Sequence, residues 1–481
     1  MKVAICASEV VPFAKTGGLA DVAGALPLEL KLLGQEVIIV MPRYKTIQEP
    51  KFSIQRLKPD ISYSVIGENI NPVTNTKALS EKNKICNGVK VYFIENDAFF
   101  NRDGLYQDKT GDYKDNLDRF AYYSRRTLEL LKEINFKADI IHCHDWQSAL
   151  IPIFLKTSYA ENPFYQNTKT VFTIHNIGYQ GLFPKDEFGK LGIDWKFFNM
   201  EMLEFYNKIN LLKGGMVFCD IINTVSPTYS KEIQTKEFGY GLEGILAKRK
   251  KDVFGILNGL DYTIWNPKTD KFIARNFSLE KIDDKYKNKE DLQRICKLPV
   301  KTDVALFGIV SRLAEQKGFD ILADAIEKIC SMNLQLVILG TGDLKYHVIL
   351  ENIVKKYPKV ISLHLKFDDP LAHKIYAGSD IFLMPSKYEP CGLGQLISMS
   401  YGTIPLVFKT GGLADTVTAN DGFVFDKYKK EGLIKEIDKS IKAFKNKKEW
   451  LRLMQKAMQN NFSWRESAKD YISLYEKAKS R

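Results

Sequence analysis

Short apolar runs alternate with helical patterns along most of the chain, and the alternation is most regular after residue 300. Apolar runs bounded by glycine, proline or polar residues are typical of the buried strands of a parallel sheet. In chain order, the predicted strands are residues 2–7, 89–94, 140–144, 171–174, 221–224, 253–257, 304–310, 334–339, 360–364, 381–384 and 404–408. Because strands that alternate with helices form parallel sheets, the pattern predicts an α/β fold of the doubly wound type.

Helical spacing of apolar residues adds helices to this framework. One opens at Gly18, one covers residues 116–132, and the last covers residues 463–479. Pro227 marks a further helix start, since proline is tolerated at the first helical position. Residues 45–87 are polar and poorly periodic, which predicts peripheral loops and short strands.

The segment KTGGLAD occurs twice, at residues 15–21 and 409–415. A chance repeat of this length is rare, so we interpret the copies as glycine turns on two separate sheets. Each turn offers a lysine, and the natural meeting point of the two sheets is a cleft between them. The glycines are adjacent and no GxGxxG pattern follows, which argues against a dinucleotide-dependent dehydrogenase.

Glu389 follows the apolar run that ends at Pro385 and precedes a loop that contains Gly392 and Gly394. In an open α/β sheet, ligands bind at the carboxyl ends of the strands. The backbone N–H groups from Gly392 onward would begin the next helix, where an anion is favoured. The sequence therefore predicts a ligand site around this carboxylate.

A chain of 481 residues exceeds one ordinary core, so two domains are expected, with a boundary near the KRKK segment at residues 248–251. The balance of 70 Lys and Arg against 58 Asp and Glu gives a net charge of +12, which favours anionic partners such as phosphates. The lysines are scattered and do not form one basic tract, so most of this charge is interpreted as a solvated surface. Nucleic-acid binding is not supported.

The chain has seven cysteines, an odd number without CxxC pairing, which is typical of a reducing cytoplasm. The apolar run at the start is too short for a signal peptide. The longest uncharged run, residues 390–408, is interrupted by glycine, serine and proline, so no membrane span is expected. These features predict a soluble cytoplasmic protein.

Several motifs together carry a family resemblance. They are KTGGLADV at Lys15, HCHDW at His142, FTIHNIGYQG at Phe172, VSPTY at Val225, LNGLD at Leu257, VSRLAEQKG at Val310 and EPCGLGQL at Glu389. In this order and combination, the chain resembles the glycogen/starch synthase family of retaining glycosyltransferases.

The resemblance implies two facing Rossmann-like domains of the GT-B type, with a deep cleft between them and a C-terminal helix that crosses back. The expected division is an acceptor-side domain at 1–248, a donor-side domain at 249–460 and the terminal helix at 461–481. The implied reaction transfers glucose from a nucleotide sugar to the nonreducing end of an α-1,4-glucan such as glycogen, with retention of configuration. ADP-glucose is the expected donor, because the resemblance is to bacterial and plant members. No cofactor or metal is expected.

The resemblance also implies roles for particular residues. The expected catalytic residues are Glu389, His175, Lys15, Arg312 and Lys317. The expected donor-binding residues are Lys15, Gly17, Gly18, Asn258, Arg312, Lys317, Gly340, Phe367, Glu389, Cys391, Gly392, Leu393, Thr410, Gly411 and Gly412. The expected contacts to the acceptor or the sugar are Glu9, Asp21, Tyr106, Asp145 and Asn176.

The residues alone leave alternatives open for some of these positions. Arg312 and Lys317 are either phosphate ligands or members of surface ion pairs, which contribute little to stability. Phe367 is either a base-stacking residue or an ordinary core aromatic. The spacing of His142 and His144 suggests a metal site, but no third ligand follows at a recognisable spacing, so a structural role is favoured.

Two positions depart from the pattern of related transferases. A second glutamate is common eight residues after the first, and here that position is Ile397. Gly394 stands where relatives often carry a larger residue such as threonine, which would leave one phosphate contact to the backbone alone.

Other functions remain to be weighed against glucan synthesis. A sugar phosphorylase would use inorganic phosphate and usually pyridoxal phosphate, for which no dedicated lysine pocket is recognisable. A UDP-glucose-dependent synthase and a noncatalytic glucan- or nucleotide-binding protein are further alternatives, distinguished by nucleotide release.

Overall fold

The computed structural model of the protein describes residues 1–47, 55–58, 60–66 and 88–481. These residues form two compact units. The first consists of Met1–Val225, Ser230–Gly259 and Trp464–Arg481, and the second of Ser226–Tyr229 and Leu260–Ser463. Most of the polar region at 45–87, which was predicted to form peripheral loops and short strands, lies outside the described residues.

The first unit is built on a mainly parallel sheet. The strands of this unit are β1 (Lys2–Cys6), β2 (Glu36–Pro42), β3 (Gln55–Lys58), β4 (Ile61–Ile66), β5 (Val89–Ile94), β6 (Gln107–Asp108), β7 (Gly111–Asp112), β8 (Ile140–His144), β9 (Lys169–Ile174), β10 (Leu182–Pro184), β11 (Glu204–Phe205), β12 (Lys208–Asn210), β13 (Ile221–Thr224) and β14 (Val253–Gly255). The large sheet has the order β14-β13-β9-β8-β1-β2-β5-β4-β3, in which β4 pairs antiparallel with both β5 and β3 and the other neighbouring strands pair parallel. Because β14 pairs with β13, the first unit continues beyond the boundary expected at 248–251.

Helices connect these strands as parallel pairing requires. In chain order they are α1 (Gly18–Leu32), α2 (Asp97–Phe100), α3 (Asn116–Glu133), α4 (Asp145–Ser148), α5 (Leu150–Lys156), α6 (Leu211–Phe218), α7 (Pro227–Glu232), of which Pro227–Tyr229 belongs to the second unit, and α8 (Glu243–Lys248). Short 3₁₀ helices lie at Pro163–Tyr165, Lys185–Leu191, Trp195–Phe197 and Lys250–Asp252. Strands β10, β12 and β11 form a small separate sheet, and β6 pairs with β7.

The second unit contains one fully parallel sheet. Its strands are β15 (Ala305–Val310), β16 (Leu334–Leu339), β17 (Ile361–His364), β18 (Ile381–Met384), β19 (Ile404–Phe408) and β20 (Phe423–Phe425), in the order β17-β16-β15-β18-β19-β20. Its helices are α9 (Lys285–Ile295), α10 (Phe319–Cys330), α11 (Leu344–Lys356), α12 (Asp369–Gly378), α13 (Gly394–Ser400), α14 (Gly411–Thr416), α15 (Lys430–Lys445) and α16 (Lys447–Gln459), with 3₁₀ helices at Leu279–Asp284 and Glu315–Lys317. Apolar side chains of the strands and the flanking helices form one continuous core.

The last helix, α17 (Trp464–Lys479), belongs to the first unit, as the resemblance implied. Tyr471 and Tyr475 on this helix are fully buried. The Tyr475 hydroxyl is 2.8 Å from Nδ1 of His142, and the Asn223 amide donates to the Tyr471 hydroxyl at 3.1 Å. The end of the chain therefore completes the interior of a unit that begins at residue 1.

Candidate active site

The strand order of the second sheet reverses between β15 and β18, because the chain runs outward from β15 to β17 and then returns to the other side. Ligands bind at such a switch point in open α/β sheets. A cavity of about 130 Å³ lies there, and its polar lining includes Ser311, Lys317, Ser386 and Glu389. The carboxylate singled out in the sequence thus lines a cavity at the ligand-binding edge of its sheet.

Glu389 is only 5% exposed, and one oxygen of its carboxylate, Oε2, accepts two hydrogen bonds. Oε2 accepts a charge-assisted hydrogen bond from Nζ of Lys317 at 2.6 Å and another from the Ser386 hydroxyl at 3.0 Å. A buried carboxylate without a partner is strongly disfavoured, so the lysine makes this placement possible. Lys317 was expected to bind phosphate, and the structure shows it paired with Glu389.

Gly318 explains how Lys317 reaches that position. Its backbone is left-handed, with φ of +80°, and a Cβ at this residue would overlap the carbonyl oxygen of Pro385. The backbone after β15 therefore approaches the end of β18 closely only because residue 318 has no side chain. This approach sets the lysine beside the carboxylate.

Arg312 lies in the same loop after β15 but differs in its surroundings. Its side chain is exposed, and within the described parts of the chain its guanidinium has no ion-pair partner. An exposed guanidinium without an ion-pair partner, next in the chain to the cavity-lining Ser311, is available to bind an anion such as a phosphate through two of its oxygens. The alternative of a surface ion pair therefore does not apply to Arg312 in this structure.

Two more predicted donor-binding residues lie near the carboxyl edge of the sheet, after β16 and β17. A Cβ at Gly340 would overlap the carbonyl oxygen of Ser311, so packing alone requires this glycine. Phe367 is 91% exposed, which excludes the alternative that it is a core aromatic. Its ring is free to stack on a flat ligand.

The second KTGGLAD copy packs against the backbone of the Glu389 loop and hydrogen bonds to it. Thr410 and Gly411 are buried, and the backbone N–H of Gly412 donates to the carbonyl oxygens of Glu389 at 3.0 Å and Pro390 at 3.2 Å. A Cβ at either glycine would overlap backbone atoms of this loop. Packing thus accounts for these glycines, and their expected contact with the donor stays a prediction.

The loop after Glu389 leads into α13. Cys391 is buried, Gly392 has a left-handed backbone with φ of +78°, and Leu393 is the residue before the helix. A Cβ at Gly394 would lie 2.7 Å from the Phe382 ring. The departure from threonine at this position therefore has a steric reason, since the ring of Phe382 fills the space.

In the first unit, Glu9 holds the first KTGGLAD turn. Its buried carboxylate accepts hydrogen bonds from the backbone N–H groups of Thr16 and Gly17 and, at 2.6 Å, from the Thr16 hydroxyl. The Tyr106 hydroxyl also donates to Glu9, at 2.7 Å. Glu9 thus fixes the turn and Tyr106 fixes Glu9, while the expected contact of both residues with the sugar stays a prediction. Thr16 was not predicted, although it lies inside the repeated motif.

The turn itself faces open space. Nζ of Lys15 is 2.7 Å from Oδ1 of Asp21, and the lysine side chain is more than half exposed. A Cβ at Gly17 or Gly18 would meet no heavy atom of the described residues within 4 Å. Unlike their counterparts at 411 and 412, these glycines are not required by protein packing.

Three histidines and an aspartate form a cluster at the carboxyl ends of β8 and β9. The His142 and His144 rings lie 4.1 Å apart between centroids, and Nδ1 of His144 is 2.9 Å from Nε2 of His175. The two nitrogens of His142 contact the hydroxyls of Tyr475 and Thr173. Both are therefore occupied, which favours the structural role of His142 over a metal ligand.

Burial sets the protonation states of this cluster. It lowers the pKa of His142 and of His175 to about 3, and that of His144 well below its ordinary value. It raises the pKa of Asp145 to about 8, although the His175 backbone N–H opposes this by donating to the carboxyl group at 2.7 Å. Neutral rings beside a protonated carboxyl suit hydrogen bonding to uncharged hydroxyls.

Asn176 and Asn258 complete the predicted set. Oδ1 of Asn176 accepts a hydrogen bond from the Gly178 backbone at 3.0 Å, and the side chain is half-buried next to His175. Asn258 is buried after β14, and its Oδ1 has no hydrogen-bond partner among the residues that the structure describes. Sequence reasoning missed Ser386 and the role of His144, since neither has a distinctive spacing from its partner.

Two known protein families match different parts of the chain, and full-length relatives match all of it. The starch synthase catalytic domain family matches residues 2–248, and the glycosyl transferases group 1 family matches residues 292–459. The glycogen synthase of Geotalea uraniireducens is 46% identical over 100% of this chain and 99% of its own length. The glycogen synthase of Thermotoga petrophila is 44% identical over 99% of each chain.

A solved structure agrees with these matches. The catalytic domain of starch synthase IV from Arabidopsis thaliana, bound to ADP and acarbose, has a TM-score of 0.87 and 32% identity, covering 100% of this chain and 99% of that one. Sucrose-phosphate synthase from Thermosynechococcus elongatus has a TM-score of 0.60 at 15% identity, over 99% and 98% of the chains, and shows the fold alone.

The fold and these matches define a glycosyltransferase of the GT-B class. The chain belongs to the glycogen/starch synthase family. Family membership favours glycosyl transfer over the sugar-phosphorylase and noncatalytic alternatives. Within the described part of the chain, no helix combines the length and the apolar character needed to cross a membrane.

The contrast between the two glycine turns gives a stability prediction. Gly412→Ala should destabilise the protein by about 1 to 3 kcal/mol, because a Cβ there overlaps the backbone of Cys391. Gly18→Ala, the matched control in the first copy, should leave stability unchanged or slightly raised, since its Cβ meets open space at a helix start. Thermal and denaturant unfolding of both variants measure the difference, and equal behaviour would contradict the assignment of different roles.

The titration of the histidine cluster predicts a stability maximum in pH. The folded His142 and His175 bind fewer protons than the unfolded chain between about pH 3 and 6.5, so their contribution to stability is lost as the pH falls through this window. The folded Asp145 binds more protons than it does in the unfolded chain between pH 3.8 and about 8, so its contribution to stability is lost as the pH rises through this window. The cluster should therefore be most stabilising near pH 6.5.

Asp145→Asn tests this, because the amide keeps the acceptor for the His175 backbone but does not titrate. From pH 6.5 to 8, the free energy of unfolding of the variant should rise steadily relative to that of the wild type, by at most about 1.4 kcal/mol per pH unit. The melting temperatures of the two proteins, measured across this pH range, report the change. The exposed Asp186→Asn serves as the control and should give a constant difference. A pH-independent difference for Asp145→Asn would show that its carboxyl group is already ionised.

Proposed function

We propose that this protein transfers glucose from ADP-glucose to the nonreducing end of an α-1,4-glucan such as glycogen, with retention of configuration and release of ADP. The observation that carries the proposal is the buried Lys317–Glu389 pair at the switch-point cavity, with the unpaired Arg312 close by in the chain. The solved starch synthase IV domain, described as bound to ADP and acarbose, supports a nucleotide and a glucan-like ligand. Free thiols at all the described cysteines agree with a cytoplasmic location.

The donor diphosphate is assigned to the cationic groups. As the bond between the anomeric carbon and the phosphate oxygen breaks, its electron pair moves to the diphosphate and negative charge builds there. Arg312 and Lys317 would stabilise that charge, and a lysine already paired with a carboxylate can shift between the two anions. Lys15 and the open backbone at Gly17 and Gly18 offer the same chemistry for phosphate oxygens.

The glucose unit is assigned to neutral and carboxylate groups. His175, Asp145 and Asn176 would hydrogen bond its hydroxyls, which suits their uncharged state. Glu389 would favour the positive charge that develops at the anomeric centre. The acceptor hydroxyl then forms the new glycosidic bond on the same face, and its proton passes to the departing phosphate. The exposed Phe367 is assigned to the nucleotide base.

The donor assignment predicts a preference in a direct assay. Incubated with glycogen, the protein should release ADP from ADP-glucose with a kcat/KM at least about 10-fold above that for UDP release from UDP-glucose, a difference of 1.4 kcal/mol. Nucleotide release is quantified by chromatography, with reactions lacking glycogen as the control. A preference for UDP-glucose would reverse the donor, and binding of both donors without release of either would favour the noncatalytic alternative.

The phosphate assignment predicts different outcomes for two cations. Arg312→Ala should lower kcat/KM by about 10- to 150-fold, since a hydrogen bond to a charged group contributes roughly 1.5 to 3 kcal/mol, and should leave the melting temperature nearly unchanged. Lys317→Ala should lower kcat/KM similarly and also destabilise the fold, because it leaves the Glu389 carboxylate buried without its cationic partner.

Arg294→Ala is the matched control for both variants, since Arg294 is an exposed arginine of the second unit whose guanidinium, among the residues that the structure describes, makes a surface ion pair with Glu290 and no other. It should change neither kinetics nor stability by more than a few tenths of a kcal/mol. Turnover close to wild type in Arg312→Ala would remove this residue from the phosphate site.

A further inference from the structure

His144 is a buried residue with one engaged and one unengaged ring nitrogen. It ends β8, and its side chain is inaccessible to solvent. Nδ1 lies 2.9 Å from Nε2 of His175, and the two rings stack at 5.2 Å between centroids. Nε2 of His144 is buried and has no hydrogen-bond partner among the residues that the structure describes.

The contact between the two rings needs one proton and one lone pair. Both imidazoles are neutral at ordinary pH, because burial lowers the pKa of each. A neutral imidazole carries its proton on one nitrogen and a lone pair on the other. Two arrangements are therefore possible, with either His144 or His175 as the donor.

The free nitrogen of His144 distinguishes them. If His175 donated, His144 would carry its proton on Nε2, where a buried N–H group would have no acceptor among the described residues. If His144 donates from Nδ1, its Nε2 is a lone pair without a donor. Buried N–H groups without an acceptor are rarer in proteins than under-satisfied acceptors, so the second arrangement is favoured.

We infer that His144 donates from Nδ1 to Nε2 of His175 and thereby holds the proton of His175 on Nδ1. Nδ1 of His175 has no partner within the described ranges of the chain, and the side chain is half-buried. His175 then presents an N–H group to its ligand and acts as a hydrogen-bond donor to a sugar oxygen. It has no lone pair available there to accept a proton, which separates it from a general base. The identity of this ligand as a sugar rests on the proposed function.

The surrounding contacts keep both rings in this relation. The His142 ring packs against His144 and is itself fixed by the hydroxyls of Tyr475 at 2.8 Å and Thr173 at 2.6 Å. The backbone N–H of His175 is fixed by Asp145. His144 is therefore a positioning residue, which acts on the ligand only through His175.

The tautomer of His175 is directly measurable. The chain has six histidines, so a sample labelled with ¹⁵N only in histidine gives a small set of ring signals. Two-bond ¹H–¹⁵N correlation spectra distinguish protonated from bare ring nitrogens, and loss of a signal set in a His175→Gln sample assigns it. In the full chain without substrate, His175 should be protonated on Nδ1. Protonation on Nε2 would overturn the inference.

Variants at His144 separate donation from packing. His144→Asn places an N–H donor near the original Nδ1, so it should keep the tautomer and stay within about threefold of wild-type kcat/KM. His144→Leu removes the donor, so it should release the tautomer and lower kcat/KM by about 10- to 100-fold, as loss of an orienting partner does elsewhere. Equal losses in the two variants would overturn the positioning role, and His144→Asn still tests it if His144→Leu does not fold.

Tyr475→Phe is the matched control. It removes a hydrogen bond from the same cluster without touching the contact between His144 and His175. The tautomer of His175 should be unchanged in this variant, and a changed tautomer would count against His144 as its cause. Because the spectra are recorded without any sugar or nucleotide, they stand apart from the donor assay. Failure of the proposed activity and failure of this inference are therefore distinguishable.

Discussion

Lys317 and Glu389 come from segments 72 residues apart, and their ion pair links the loops that follow β15 and β18. A carboxylate that is 5% exposed requires such a partner, and the lysine reaches it only because Gly318 lets the backbone approach Pro385. The glycine turn at 411 and 412 then supports the same loop from the other side. The cavity at the switch point thus depends on one charge pair and on several positions where a side chain would not fit.

The sequence predicted much of the framework because buried parallel strands are short apolar runs. Strands β5, β8, β13, β16, β18 and β19 have the predicted bounds. Strand β2 was not predicted although EVIIVMP is such a run, and the small sheet of β10–β12 has strands too short for a periodic signal. The pairing of β14 with β13 has no local signal in the sequence, since strand pairing is a long-range property.

The site was predictable as a set of residues and less so as a set of contacts. The same KTGGLAD sequence forms an open turn in the first unit and a tightly packed turn in the second. The residues that pack against the second turn come from elsewhere in the chain, so the motif itself does not predict the difference. Glu9 and Tyr106 carried a family signal, but only the fold shows that they hold the turn. The partner of His142 lies 333 residues away at Tyr475, and no local pattern connects them.

The position of α17 has a consequence for biosynthesis. The first unit takes its last helix from the end of the chain, and Tyr471 and Tyr475 fill its interior beside the histidine cluster. A ribosome delivers those side chains only after the whole second unit, Leu260–Ser463, has emerged. Domains fold as units during synthesis, usually from the N-terminus onward. Here the first unit, although most of its residues are synthesised first, can complete its interior only after the second unit has been synthesised.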